Sequence, residues 1–200
     1  MSYIGTTKIG GMYLGGTEIA KAYLGTDLVF QKGAQPQPVE YTFTAQLSSY
    51  IPKATDGSWY SINNSANAYT DENSSTYCQI ALTRGSEAET WIYWLFDTSA
   101  LPANANIVSV ECKCKVYSQS TNANQVASRR AQLFSGTTAK GADTLIPQPA
   151  AIKTLSGATW TRAELNDVRL RMYGKRGTSN TTTSYMFRLY GATLTIRYTL

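Results

Sequence analysis

The chain has no histidine, few charges, few prolines and no apolar run of membrane-spanning length. Each shortage excludes something. Without histidine there is no Ser-His-Asp or Cys-His catalysis and no imidazole-ligated zinc. The side chain that most often moves protons near neutral pH is also missing. Carboxylate-pair glycosidases survive that filter, so the expectation is a non-enzyme rather than a proof of one. Charged residues make up only 16% of the chain, against the usual ~25%. Glycines and charges interrupt every apolar stretch in residues 1–30, which predicts neither a secretory signal nor a membrane span, and hence synthesis in a cytoplasm. The Asn-x-Ser/Thr triplets at Asn63, Asn73 and Asn180 then read as turn chemistry rather than glycan acceptors. Of the three cysteines, Cys112 and Cys114 lie two apart in a strand pattern. Neighbours on one strand face pair poorly, so all three, with Cys78, are expected to be reduced, buried and apolar in behaviour. No further ligands are at hand for a metal site, and no cofactor is expected.

What is present points to β-structure. The polar residues are mostly Ser, Thr, Asn and Gln, with 15 glycines, which suit strands and turns better than helices. At 200 residues with 42% hydrophobic side chains, the chain can bury a core without a disulfide or metal staple. The net charge of +5 sits in the last fifth, where residues 162–200 hold seven basic and two acidic groups. These basic residues are scattered, with no dense stripe or motif of the kind nucleic-acid binding needs. The expectation is a solvated sheet face with arginines beside aromatics.

The sharpest signal is a decapeptide repeat. Tyr3-Ile4-Gly5-Thr6 is followed ten residues later by Tyr13-Leu14-Gly15-Gly16 and ten further on by Tyr23-Leu24-Gly25-Thr26. Ile9, Ile19 and Leu28 follow in turn, the last one position early. Each copy places a β-prone run beside a Gly-centred turn, as tight hairpins require. Strands over 8–14 and 18–24 predict a small β-meander in residues 1–33. A layer of that size cannot bury a core alone and must pack on something else: its own downstream domain, copies of itself or a foreign platform. Tyr3, Gly5, Ile9, Tyr13, Leu14, Gly15, Ile19, Tyr23, Leu24, Gly25 and Leu28 are therefore the candidate anchoring residues. Residues 34–39, with Pro36 and Pro38, read as a semi-rigid linker, and 40–200 as the main domain.

That domain alternates with period two. Residues 90–96 carry bulky side chains on both faces, as a central strand or one at an interface would. In 107–117, Val108, Val110, Cys112, Cys114 and Val116 alternate with polar partners. Val168, Leu170 and Met172 oppose Arg169, Arg171 and Tyr173. At the end, Tyr190, Ala192, Leu194, Ile196 and Tyr198 have the opposite parity to Tyr185, Phe187 and Leu189, which predicts a bulge near Gly191. Thr161 and Glu164 have capping-box spacing, expected to start one short turn before the Val168 strand. The whole predicts an all-β protein: a meander of decapeptide repeats followed by a jelly-roll-like β-sandwich.

The repeat from Tyr13 to Phe30 resembles an N-terminal module of structural proteins of tailed bacteriophages and prophages. Leu101-Pro102-Ala103-Asn104-Ala105-Asn106-Ile107, Trp160-Thr161-Arg162-Ala163-Glu164-Leu165-Asn166 and the closing Arg188-Leu189-Tyr190 to Arg197-Tyr198 resemble a sandwich of phage virion proteins. The resemblance implies a non-enzymatic virion protein of fibre, tail-appendage or capsid-decoration type, located in the virion. Its implied partners are other virion proteins of capsid, neck or tail, and itself as a homo-oligomer, a trimer being favoured; no nucleic acid and no membrane insertion are implied. The alternative is recognition of host surface glycan, for which Trp59 and Tyr60, in a Gly/Ser/Asn-rich segment, are the candidate stacking pair among Trp91, Tyr93, Trp94 and Trp160. A carboxylate enzyme would draw on Glu87 with Glu89, or on Asp71 with Glu72, but solvated turns account for these acids better.

Overall fold

A computed structural model describes residues 39–52, 61–82, 89–178 and 185–200 in full, and the backbone alone of the strands within 3–31 and of residues 53–54. The chain divides into two compact units, Met1–Val39 and Glu40–Leu200.

The first unit contains β1 (Tyr3–Ile4), β2 (Thr7–Lys8), β3 (Met12–Leu14), β4 (Thr17–Ile19), β5 (Lys21–Leu24) and β6 (Asp27–Gln31). They pair as three antiparallel hairpins, β1–β2, β3–β4 and β5–β6, closed by the pairs Ile4↔Thr7, Leu14↔Thr17 and Leu24↔Asp27. Residues 5–6, 15–16 and 25–26, where the repeat places its turns, lie between these pairs and outside the described residues. Among the described residues each hairpin is a two-stranded sheet of its own. Residues 9–11 and 20, which join consecutive hairpins, lie outside the described residues. In the third hairpin the register slips between Ala22 and Tyr23, in the copy whose apolar residue comes one position early.

The second unit contains β7 (Tyr41–Ala54), β8 (Ile62–Asn63), β9 (Cys78–Leu82), β10 (Glu89–Phe96), β11 (Asn106–Ser118), β12 (Val126–Ser135), β13 (Thr138–Leu145), β14 (Ala151–Leu155), β15 (Val168–Arg176) and β16 (Tyr185–Thr199). The only helical pieces among the described residues are 3-10 turns at Ser65–Ala68 and Glu164–Asp167. The protein is all-β. The ten strands form one antiparallel sheet ordered β13-β12-β15-β10-β7-β16-β11-β14, with β9 on β16 and β8 on β9. The hinge is β7: its first half pairs with β16 (Tyr41↔Tyr198 to Gln46↔Thr193) and its second with β10 (Leu47↔Phe96 to Ala54↔Thr90). A strand shared in this way turns a sheet through a corner. The two wings then face each other: a Cβ added to Gly174 of β15 would lie 2.2 Å from Phe187 of β16 and 2.9 Å from Leu82 of β9. One apolar cluster fills the space between them, with Leu170 and Met172 from one wing and Phe187, Leu189, Leu194 and Ile196 from the other.

Most of the period-two pattern is realised. β10 is central, with Ile92, Trp94 and Phe96 inward. Cys112, Cys114 and Cys78 are buried free thiols, and burial pushes the Cys78 thiol up to about 12. Val108 departs from expectation and is 51% exposed. The register shifts between Ile107 and Ser109, and one inserted residue reverses the parity of its neighbours. The same device acts at Gly191, where Lys115↔Gly191 is followed by Val116↔Leu189. Tyr190 is the extra residue there, and it lies on the outward face rather than with Ala192, Leu194 and Ile196 in the core. Arg176 also departs from the solvated-face expectation: it is fully buried, and its guanidinium lies 4.5 Å from the Tyr185 ring centre.

The short turn before β15 is a reciprocal cap. Thr161 N–H donates to Glu164 Oε2 at 2.8 Å, and Glu164 N–H donates to Thr161 Oγ1 at 3.2 Å, each satisfying a backbone donor that the turn leaves free. Lys140 Nζ donates to the other Glu164 oxygen at 2.7 Å. The Lys140 ammonium and the Thr161 amide hold the Glu164 carboxyl below its ordinary value.

Candidate functional site

Strands β11 and β16 pair over almost their whole length, so their outward side chains form one long two-column face. Period two places Glu111, Lys113, Lys115 and Tyr117 on the β11 column. Arg188, Tyr190, Thr193, Thr195 and Arg197 make the β16 column, the bulge at Tyr190 allowing Arg188 and Tyr190 to share the face with the later residues. At one end five side chains interleave. The Arg188 guanidinium lies 4.2 Å from the Tyr77 ring centre and 5.0 Å from that of Tyr117. Tyr77 meets Tyr190 edge to face at 5.2 Å. Lys115 Nζ sits 4.7 Å over the Tyr190 ring and donates to the Ser74 carbonyl at 2.9 Å. A cation over a tyrosine face is attracted by the ring quadrupole, by ~0.5–2 kcal/mol depending on exposure.

Tyr77 and Ser74 reach this face because residues 70–77 cross β16 at its bulge. β9 covers the edge of β16 at 185–189 and β7 covers it at 193–198. Between them the Thr70 carbonyl accepts from Ala192 N–H at 3.0 Å, and Thr70 Oγ1 donates to the Tyr190 carbonyl at 2.9 Å. Gly191 makes this approach feasible, since a Cβ there would lie 2.2 Å from the Asp71 carbonyl oxygen and 2.5 Å from that of Thr70.

At the other end of the face is a groove of about 400 Å³ lined by Val108, Ser109, Glu111, Ser156, Thr195 and Arg197, among others. It opens because β14 pairs with β11 only over Cys112–Val116, leaving the earlier part of that β11 edge without a strand. Among the described residues the whole face holds four cations, Lys113, Lys115, Arg188 and Arg197, and two carboxylates. Glu111 pairs with Lys113 at 3.7 Å, and Glu72 accepts from Thr193 Oγ1. Neither Arg188 nor Lys115 has a carboxylate partner in the ion pairs of the described residues.

The outer face of the opposite wing also layers arginines on rings. Its chemistry differs because its charges are mostly compensated. Arg169 lies 5.4 Å from the Tyr93 ring centre and is gripped through two 2.6 Å bonds by Asp167, which keeps its guanidinium pKa raised. Arg171 stacks on Phe134 at 4.3 Å and donates to Gln132. Lys175 pairs with Glu89, and Arg130 with Asp143. Under this lid Tyr93 and Phe134 are buried, yet they lie outside the main core cluster.

Of the residues singled out in the sequence, Tyr3, Tyr13, Leu14, Ile19, Tyr23, Leu24 and Leu28 stand on the hairpin strands. Gly5, Ile9, Gly15 and Gly25 lie outside the described residues, as do Trp59, Tyr60 and Glu87. Trp94 and Trp160 belong to the core, which removes them as stacking platforms. Glu89 is spent on Lys175, and Asp71 Oδ1 accepts from Asn73 N–H at 2.8 Å as a turn former. Among the described residues no group of three or more His, Cys, Asp or Glu side chains could hold a metal, and no helix is long and apolar enough to cross a membrane. Sequence reasoning missed Tyr77, Lys115, Tyr117, Arg188 and Tyr190. The alternation Lys113-x-Lys115-x-Tyr117 was a signal for half of the set; the other half depends on a bulge and a crossing loop. No protein-family model and no curated protein matches the chain.

Proposed function

We infer that this chain is a non-enzymatic structural protein of the tailed-phage virion type. Residues 1–33 attach it to the particle, and the 40–200 body projects as a homo-oligomer, a trimer by preference. One observation carries the reading: three two-stranded hairpins at a ten-residue period, in a compact unit of their own. A lone two-stranded hairpin is at best marginally stable in water, so a row of them gains its stability from a surface it docks on. The repeat's resemblance to virion modules supplies the kind of surface: capsid, neck or tail proteins. The second unit has its own continuous apolar cluster, which supports a body able to fold without the first.

The test is truncation. A chain lacking residues 1–33 should keep its β circular-dichroism spectrum and cooperative unfolding, yet be missing from purified particles by quantitative mass spectrometry. Incorporation at the full-length level would refute the attachment role.

A further inference from the structure

We propose that the outward face of β11 and β16 binds an acidic polysaccharide, a chain of sugar rings bearing carboxylates. Three features of the face fit that chemistry together. First, Tyr77, Tyr117 and Tyr190 are half-buried and present ring surface in direct contact with Arg188 and Lys115. A uronic acid needs that combination: an apolar ring face to stack on and a cation within reach of its carboxylate. Second, the cations are spread along the face rather than clustered. From the Tyr117 position to the Ser109 position, which pairs with Arg197, the eight residue steps span about 27 Å at the usual strand rise. That suits an extended chain with an acid group every ring or two. Third, the far groove offers the hydroxyls of Ser109, Ser156 and Thr195 beside Arg197, a lining that matches a hydroxyl-rich ligand.

The same features disfavour other polyanions. Duplex DNA carries a charge about every 1.7 Å, and a face with two carboxylates among four cations is too weakly positive for it. An acidic peptide would use the cations but leave the tyrosine surface and the hydroxyl-lined groove without a role. The proposal does not depend on the virion reading, because its test needs only the purified full chain.

The probes are a hexamer of galacturonic acid, the same hexamer fully methyl-esterified, a twelve-nucleotide oligothymidylate and hexaglutamate, each titrated calorimetrically into the full chain. The expected result is binding of the acidic hexamer that weakens as salt rises, with the esterified hexamer at least tenfold weaker. Arg188→Met should weaken binding at least tenfold. Arg197→Met, at an exposed position, should weaken it several-fold and carries the test should the first variant shift the urea midpoint. Arg171→Met on the opposite wing should stay within twofold of the parent. Equal binding of the esterified hexamer would overturn the proposal, as would full binding by both face variants. Tighter binding of the oligonucleotide or of hexaglutamate would assign the face to a different partner, and no binding of the acidic hexamer at millimolar concentration would dismiss it.

Discussion

Replacing Gly191 with alanine tests the crossing that builds the candidate face. The backbone there is not in the left-handed region, so alanine brings no conformational strain of its own; its cost is contact. The new Cβ would stand 2.2 Å from the Asp71 carbonyl oxygen and 2.5 Å from the Thr70 carbonyl oxygen, about 1 Å inside ordinary van der Waals separation. Both obstacles are backbone, so no side chain can rotate away. The 70–71 segment must retreat from β16, which strains or breaks the Ala192–Thr70 bond at 3.0 Å and the Thr70–Tyr190 bond at 2.9 Å. Two lost hydrogen bonds at roughly 1 kcal/mol each, plus overpacking of roughly 1–2 kcal/mol, give a destabilisation of about 3–4 kcal/mol. For a domain of this size the melting temperature should fall by about 6–16 °C. The assay is urea and thermal unfolding followed by circular dichroism, with Gly157→Ala as the comparison. Gly157 has φ of +86° and nothing within 4 Å of its added Cβ, so it isolates the backbone-conformation penalty of about 1 kcal/mol. If Gly191→Ala cost no more than Gly157→Ala, the close crossing would be wrong, and with it the placement of Tyr77 beside Arg188.

Other consequences follow from the packing and the titrations. Gly174→Ala should destabilise the protein by roughly 1–3 kcal/mol in urea unfolding, since its Cβ would meet the buried Phe187 ring across the core. Trp94→Ala should cost about 3–5 kcal/mol, because the ring is fully buried against Tyr50 and Tyr69; a loss under about 1 kcal/mol would contradict its central position. Native protein should not react with a thiol reagent at pH 8, since burial raises the Cys78 thiol and the hydrogen bond with Cys114, together with burial, raises the Cys112 thiol above the ordinary range, whereas all three cysteines should label in 6–8 M urea. Glu164 has a folded-state pKa below its unfolded value, so its contribution is present above the ordinary glutamate range and is lost as pH falls through the lowered folded value. Glu164→Gln should therefore flatten the decline of stability below about pH 4.5, and an unchanged slope would mean that the Thr161 and Lys140 contacts do not bias its protonation.

Period two was enough to read the architecture wherever one residue followed another without interruption. Val168, Leu170 and Met172 could be assigned to the core and Arg169 and Arg171 to the outside, because a strand leaves no other arrangement of alternating side chains. The Thr161–Glu164 cap was legible for the same local reason: four residues contain both halves of the bond. Val108 was not legible, because a bulge depends on how two strands far apart in sequence fall into register, and a single extra residue reverses the face. Tyr190 went to the wrong side on the same ground, although Gly191 marked the place. Arg176 followed the sequence parity but not the sequence chemistry: its position is inward, and Tyr185, nine residues on, supplies the ring beneath its charge.

The amino-acid order alone determined that this is a β-protein, that three hairpins repeat every ten residues at its start, and which side of most strands is apolar. Those properties are set by neighbours within a few residues. Only the tertiary structure decided that β7 serves two wings, that residues 70–77 cross β16 at its bulge, and that Tyr77, Lys115, Tyr117, Arg188 and Tyr190 form one stack. Their partners are up to 113 positions apart, and no local preference can choose among such pairings. The fit of the whole core makes that choice, and at the crossing Gly191 lets the two backbones touch.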